Sequence, residues 1–198
     1  MTPGNRPPVR LGGLVLAAGA GTRFGGPKGL ARTTAGEPWV QRAAGMLRAA
    51  GCDVVLVTAG ARGQVVAALV PSSAVVVSVP DWADGLSASL RAGLVAAAAL
   101  PAPPDALVVT PVDTPEAPPS AVVRVLEAAH STGGAPSRLL ARAVYDGRPG
   151  HPVLIGRDHW DELRATLRGD TGAGRYLAAH GALDVECGDL WSGDDVDR

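Results

Sequence analysis

Four short runs, residues 14–18, 54–58, 74–78 and 106–110, are almost purely apolar and rich in β-branched side chains. No other feature limits the fold as much. A strand with one face in water alternates polar and apolar residues, whereas a strand apolar throughout needs cover on both faces. Helical periods lie between the runs. Within residues 37–50, Trp39, Ala43, Met46, Leu47 and Ala50 share a face, and Gly51 suits a C-terminal cap. Further helices are expected near 63–70, over 86–100 ahead of the breaker Pro101-Ala102-Pro103-Pro104, and over 119–130. Residues 138–145 and 153–155 read as strands around a Gly/Pro-rich turn. Helices near 158–167 and 172–180 and a last strand at 183–187 complete the order. A βαβαβ opening implies an α/β fold with a mostly parallel sheet, right-handed crossovers and a ligand crevice at the strand C-termini. No internal repeat or domain-sized linker interrupts it, so one domain over residues 1–198 is expected.

Composition narrows the ligand. Net charge is -1, aromatic residues are only 4% and charges are dispersed, which removes the basic stripe and stacking platforms of a nucleic-acid binder. No window reaches the run of about 18 apolar residues that a membrane span requires. The opening MTPGNRPPVR lacks the apolar core of a signal peptide, so a soluble, cytoplasmic protein is expected. Cys52 and Cys187 are far apart and have no CxxC spacing, so neither a disulfide framework nor a zinc site is suggested. Both read as buried small hydrophobes. A small-molecule ligand fits best.

Directly after the first strand comes LAAGAGTRFGGPK, residues 16–28, where an α/β sheet binds phosphates. Glycines let backbone N–H groups approach phosphate oxygens, and Arg23 and Lys28 add positive charge. A P-loop requires Gly-Lys-Ser/Thr, but Lys28 follows Pro27 and precedes Gly29. The dinucleotide fingerprint GxGxxG fails as well, because Phe24 stands at its third glycine. No acidic residue ends the second strand to hold a ribose: the sequence there is Thr58-Ala59-Gly60-Ala61-Arg62, and Arg62 leaves an NADP reading open.

The pattern LAAGxGxRxGxPK resembles the signature of the MobA-like NTP transferases. These are nucleotidyltransferases that include the molybdenum cofactor cytidylyltransferases and guanylyltransferases, related to the sugar-nucleotide pyrophosphorylases. The resemblance implies a three-layer α/β/α, Rossmann-like fold of the nucleotide-diphospho-sugar transferase type. It implies that the turn holds a triphosphate and that Arg23 and Lys28 are catalytic cations. The nucleotide would lie on Leu16, Ala17, Ala18, Gly19 and Gly21, with Gly60 at the end of the second strand. Ala17-Ala18-Gly19 is similar to the LAAG of cytidylyltransferases rather than the LAGG of guanylyltransferases, which points to CTP.

The likeness continues downstream. Residues 84–94, DGLSASLRAGL, are similar to the GMSSSLRAGL segment of the cytidylyltransferase branch, so Gly85, Ser87 and Ser89 are expected at the nucleobase; from spacing alone the serines equally suit helix caps. Asp113 in TPVDTP matches an aspartate that binds Mg²⁺ in the family, a role suited to a carboxylate beside phosphate oxygens; an Asx-turn before Pro115 is the plain alternative. RPGHPVL at 148–154 and GDTGA at 169–173 resemble elements lining the acceptor, implicating Gly150, His151 and Asp170, with His151 expected in a Gly/Pro loop. His130, His159 and His180 fall in helical segments and suit surfaces or caps. The last residues, DDVDR, resemble a DIDTP element and make Asp197 the second metal ligand. The chain departs from the family at Val79, Gly174 and Arg198, where Asn, Arg and Thr are usual, and stops where a further helix is expected.

The resemblance therefore implies a Mg²⁺-dependent cytidylyltransferase moving CMP from CTP to a small phosphorylated acceptor, molybdopterin, with release of pyrophosphate and contact with a molybdoenzyme. A rival comes from residues 141–160, ARAVYDGRPGHPVLIGRDHW, which are similar to proteins named nicotine blue oxidoreductase, NAD(P)H-dependent quinone reductases of the same fold. A non-catalytic nucleotide sensor or cofactor-insertion chaperone is a third reading, disfavoured by the retention of Arg23, Lys28 and Asp113 together.

Overall fold

The structure, a computed structural model, describes residues 9–197; most of the opening MTPGNRPPVR segment, and Arg198, lie outside them. The apolar runs become β1 (Leu11–Leu16), β2 (Val54–Ala59), β3 (Val75–Ser78) and β4 (Ala106–Pro111). Helices α1 (Trp39–Ala49), α2 (Gly63–Ala67) and α3 (Leu86–Ala98) alternate with them, and α4 (Pro119–Ser131) follows. Then come β5 (Leu140–Tyr145), β6 (Arg148–Gly156), α5 (Trp160–Thr166), α6 (Gly174–Ala179) and β7 (Leu183–Glu186). The strands form one seven-stranded sheet in the order β3-β2-β1-β4-β6-β5-β7. Only β6 runs antiparallel to its neighbours, β4 and β5; the remaining pairs are parallel.

Successive side chains on a strand face opposite ways, and β1 shows the result. Val15 packs into a core with α1 and α4, whereas Leu14 and Leu16 join a second core with α3, α5 and α6. Both sheet faces are thus covered, which gives the three-layer α/β/α arrangement. Helix α3 lies close to β1 because Gly93 has no side chain: a Cβ there would come within 2.5 Å of Leu14 Cδ2. Leu14 is fully buried beneath it. Leu14→Ala is expected to cost about 2–5 kcal/mol, read as a lower urea midpoint at unchanged m-value.

The structure departs from the sequence expectation in three places. β1 begins at Leu11 rather than residue 14, because Gly12 and Gly13 give the strand close packing in place of apolar side chains. A Cβ on Gly12 would stand 2.6 Å from Leu107 Cδ2, and one on Gly13 would stand 2.8 Å from Leu47 Cδ1. Helix α2 ends at Ala67, short of the expected residue 70. The turn after β5 is only Asp146-Gly147, both with positive φ, as tight hairpins favour. β6 therefore starts at Arg148 and absorbs the segment expected to be a loop. Cys52 and Cys187 are buried and free, as expected. Among the described residues no helix is long and apolar enough to cross a membrane.

Candidate functional site

The C-terminal ends of β1 and β4 open into a cleft of about 460 Å³. The glycine-rich turn forms one wall. Its root is anchored where the buried Thr58 hydroxyl accepts from the Ala17 N–H at 3.0 Å and donates to the Val15 carbonyl at 3.3 Å. Gly21 makes the reversal possible. It sits at φ 58°, and its carbonyl accepts from the N–H groups of Phe24 and Gly26, each at 3.0 Å. Gly19 has nothing within 4 Å of where a Cβ would be, so the backbone there is open to a ligand.

Lys28 starts a short 3-10 turn, Lys28–Leu30, and its ammonium donates to Asp113 Oδ2 and Asp197 Oδ1, both at 2.8 Å. Partial burial pulls its pKa down, but hydrogen bonds and attraction from the two carboxylates outweigh this and raise it, so the lysine is charged. Asp113 follows β4 in a turn closed by Thr114 Oγ1, which donates to the Pro111 carbonyl at 3.1 Å. The C-terminal segment is pinned beside it, with the Val196 N–H donating to the Asp113 carbonyl at 2.9 Å. Asp113, Asp195 and Asp197 thereby offer ligand oxygens all within 4.8 Å of one another. Asp113 Oδ1 is buried with no hydrogen-bond partner among the described residues, so the carboxylate is not spent on an Asx-turn. An all-oxygen donor set of this kind fits Mg²⁺ or Mn²⁺.

The cleft gathers most of the residues singled out from the sequence. Leu16, Ala17, Ala18, Gly19 and Gly21 line it from β1 and the turn, Lys28 and Asp113 carry its charge, and Gly85, Ser89 and Asp170 line it from the start of α3 and the loop packed onto it. Asp170, expected beside the acceptor, thus lies in the same cleft as the turn. Its loop packs onto Gly85, where a Cβ would stand 2.3 Å from Asp170 Oδ1.

Other residues singled out from the sequence lie elsewhere. Arg23 is exposed, is not among the residues lining the cleft, and makes no ion pair among the described residues. Gly60 borders a neighbouring cavity, and its missing side chain serves packing, since a Cβ there would stand 2.4 Å from Trp82 Cβ and 2.7 Å from the Ala18 carbonyl. Ser87 is buried outside the cleft, its N–H bound to the Gly169 carbonyl at 3.0 Å. Neither serine caps α3, whose cap position is Gly85. His151 lies on β6, not in a loop. With Gly150 and Arg142 it borders a second cavity of about 170 Å³ that shares Leu16 and Leu86 with the cleft. Burial lowers the His151 pKa against the opposing pull of Asp113 and Asp195, leaving a neutral imidazole at pH 7.

Asp195 was missed from the sequence. The doubled acid of DDVD was the available signal, but only its distance from Asp113 shows that both Asp195 and Asp197 reach the same point.

The sequence profile of the MobA-like NTP transferase domain matches residues 13–185. The chain is 34% identical to nicotine blue oxidoreductase of Paenarthrobacter nicotinovorans, covering 93% of this chain and 91% of that protein. The crystal structure of Rv0371c from Mycobacterium tuberculosis H37Rv superposes with a TM-score of 0.77 at 26% identity, covering 96% of this chain and 93% of that one. The same protein in complex with manganese superposes at 0.70 with 26% identity, over 90% and 88% of the two chains. The fold is shared more widely. The 2-C-methyl-D-erythritol 4-phosphate cytidylyltransferase of Thermus thermophilus superposes at 0.65 with 17% identity, over 95% and 93% of the two chains.

Proposed function

Because the chain belongs to the MobA-like NTP transferase domain family, we propose that it is a Mg²⁺-dependent nucleotidyltransferase. It transfers CMP from CTP to a phosphorylated acceptor of the molybdopterin type, acting as a single cytoplasmic domain. The observation that carries the reading is the convergence of Asp113, Asp195 and Asp197, with Asp113 keeping a buried, unpartnered Oδ1, beside the Lys28 ammonium.

In the reaction an acceptor phosphate oxygen attacks the α-phosphorus of CTP. The new P–O bond forms as the bond from the α-phosphorus to the bridging oxygen breaks, and pyrophosphate leaves with the electron pair. A phosphate nucleophile is already ionised at pH 7, so no general base is needed. The open backbone at Gly19 and the N–H groups of the turn cradle the triphosphate. Lys28 is held by its two carboxylates at the same end of the cleft and neutralises charge that accumulates on the departing pyrophosphate. Asp113, with Asp195 and Asp197, would hold the divalent ion, which when bound screens the phosphate oxygens. That Rv0371c is described in complex with manganese supports a divalent metal for this chain as well. Ala18 and Ser89 form a buried floor suited to a pyrimidine.

A second reading, an NAD(P)H-dependent quinone reductase, is favoured by the 34% identity to a protein named as an oxidoreductase. One experiment separates the two. The protein is incubated with CTP, Mg²⁺ and molybdopterin, and in parallel with NADPH and a quinone; pyrophosphate release is expected in the first and no loss of nicotinamide absorbance in the second. A millimolar ligand with a micromolar Kd stabilises by about 4 kcal/mol, so CTP with Mg²⁺ should also raise the Tm visibly. NADPH oxidation without any response to CTP would replace the transferase reading with the reductase.

A further inference from the structure

We infer that Asp170 holds the ribose of the bound nucleotide, its carboxylate accepting hydrogen bonds from the sugar hydroxyls. The inference rests on the nucleotidyltransferase reading and adds to it a residue that discriminates the sugar. Asp170 lines the cleft formed by the glycine-rich turn, not the second cavity of Gly150 and His151. Its position is set by backbone contact. The Ser87 N–H donates to the Gly169 carbonyl at 3.0 Å, and Gly85, at φ 96°, leaves the space that the Asp170 carboxylate fills. Thr171 tightens the loop, its Oγ1 accepting from the Arg168 N–H at 3.1 Å and donating to the Arg168 carbonyl at 2.6 Å.

The chemistry of the carboxylate then selects its partner. Asp170 is outside the group of acids that converge for a metal, and it forms no salt bridge or side-chain hydrogen bond with the described residues. A bare carboxylate that holds no metal repels the phosphates of a bound polyphosphate, so it belongs with the nucleoside rather than with the Lys28 ammonium. Its natural partners there are neutral donors. The buried floor of Ala18 and Ser89 suits the base, whereas Asp170 is exposed at the rim, where the ribose hydroxyls of a base-down nucleoside would lie. A carboxylate accepting from ribose hydroxyls is a recurrent solution in α/β nucleotide sites, and the end of β2, where that residue often stands, offers only Ala59-Gly60-Ala61.

The test compares Kd for CTP and for 2′,3′-dideoxy-CTP, each with Mg²⁺, in the wild type, Asp170→Ala and Asp170→Asn. The wild type is expected to prefer CTP by about tenfold, the scale of hydrogen bonds to a charged acceptor. Asp170→Ala should bind CTP about tenfold more weakly, leave dideoxy-CTP nearly unchanged and so erase the preference; Asp170→Asn, which keeps one acceptor oxygen, should fall between. Equal losses for both nucleotides, or an effect confined to the KM of the acceptor, would overturn the assignment to the ribose. A wild type that binds CTP and dideoxy-CTP equally well also overturns it while leaving the transferase reading intact. No CTP binding at all would sink that reading itself.

Discussion

Asp113→Ala is expected to lower CTP-dependent pyrophosphate release at least about a hundredfold, because a metal bound at phosphate oxygens is worth several kcal/mol of barrier and each 1.4 kcal/mol is tenfold. Asp113 is the most enclosed of the three converging acids; Asp195 and Asp197 are exposed. Single substitution of either outer acid should therefore cost less than loss of Asp113. Stability should respond weakly. Removing the carboxylate relieves the buried, unpartnered Oδ1 but takes from Lys28 one of its two partners, opposing effects of about 1–3 kcal/mol each. The measurement is steady-state pyrophosphate release against Mg²⁺ concentration, alongside thermal unfolding. Wild-type turnover in a folded Asp113→Ala protein would remove this carboxylate from the reaction.

Gly21→Ala should be nearly as damaging by another route. At φ 58° an L side chain is strained, and the added Cβ would stand 2.0 Å from the Gly26 carbonyl oxygen and 3.3 Å from the Lys28 backbone nitrogen. Backbone strain of this kind costs about 1–3 kcal/mol, and the clash displaces the segment that carries Lys28. A shift near 1 Å in a positioning group can cost about a hundredfold in rate. Gly19→Ala is the control, because nothing lies within 4 Å of its Cβ position, so it should leave the turn's geometry intact. Circular dichroism should show both variants folded. Gly21→Ala should lose the CTP-induced Tm increase, and retention of that increase would show that the turn tolerates the displacement.

The order of elements was legible along the chain because each depends on a local period. Apolar runs at 54–58 and 106–110 became β2 and β4 nearly to the residue, and the amphipathic stripe at Trp39, Ala43 and Met46 became α1. Errors collected where glycine and proline had two readings. Gly12-Gly13 fall outside the apolar run at 14–18 but lie within β1 as flat surface for Leu107 and Leu47. Pro149 and Pro152 read as loop, yet the first half of β6 pairs only with β5, and the ladder to β4 begins at Val153. A strand segment with one free edge tolerates proline.

The candidate site divides in the same way. The groups that line the crevice were legible along the chain: a glycine-rich turn with its lysine after one buried strand, and an acid after another. Those are local patterns with a mechanism in each residue. Tertiary structure alone decided which groups share a space. It put Asp195 beside Asp113 across 82 residues of chain, turned Arg23 outward, gave Gly60 to the packing of Trp82 and placed Asp170 in the cleft of the turn. Spacing within a strand or helix fixes a side chain's face, but the distance between residues on different elements depends on sheet order, loop packing and the absence of a Cβ at positions such as Gly85. Those are properties of the assembled chain.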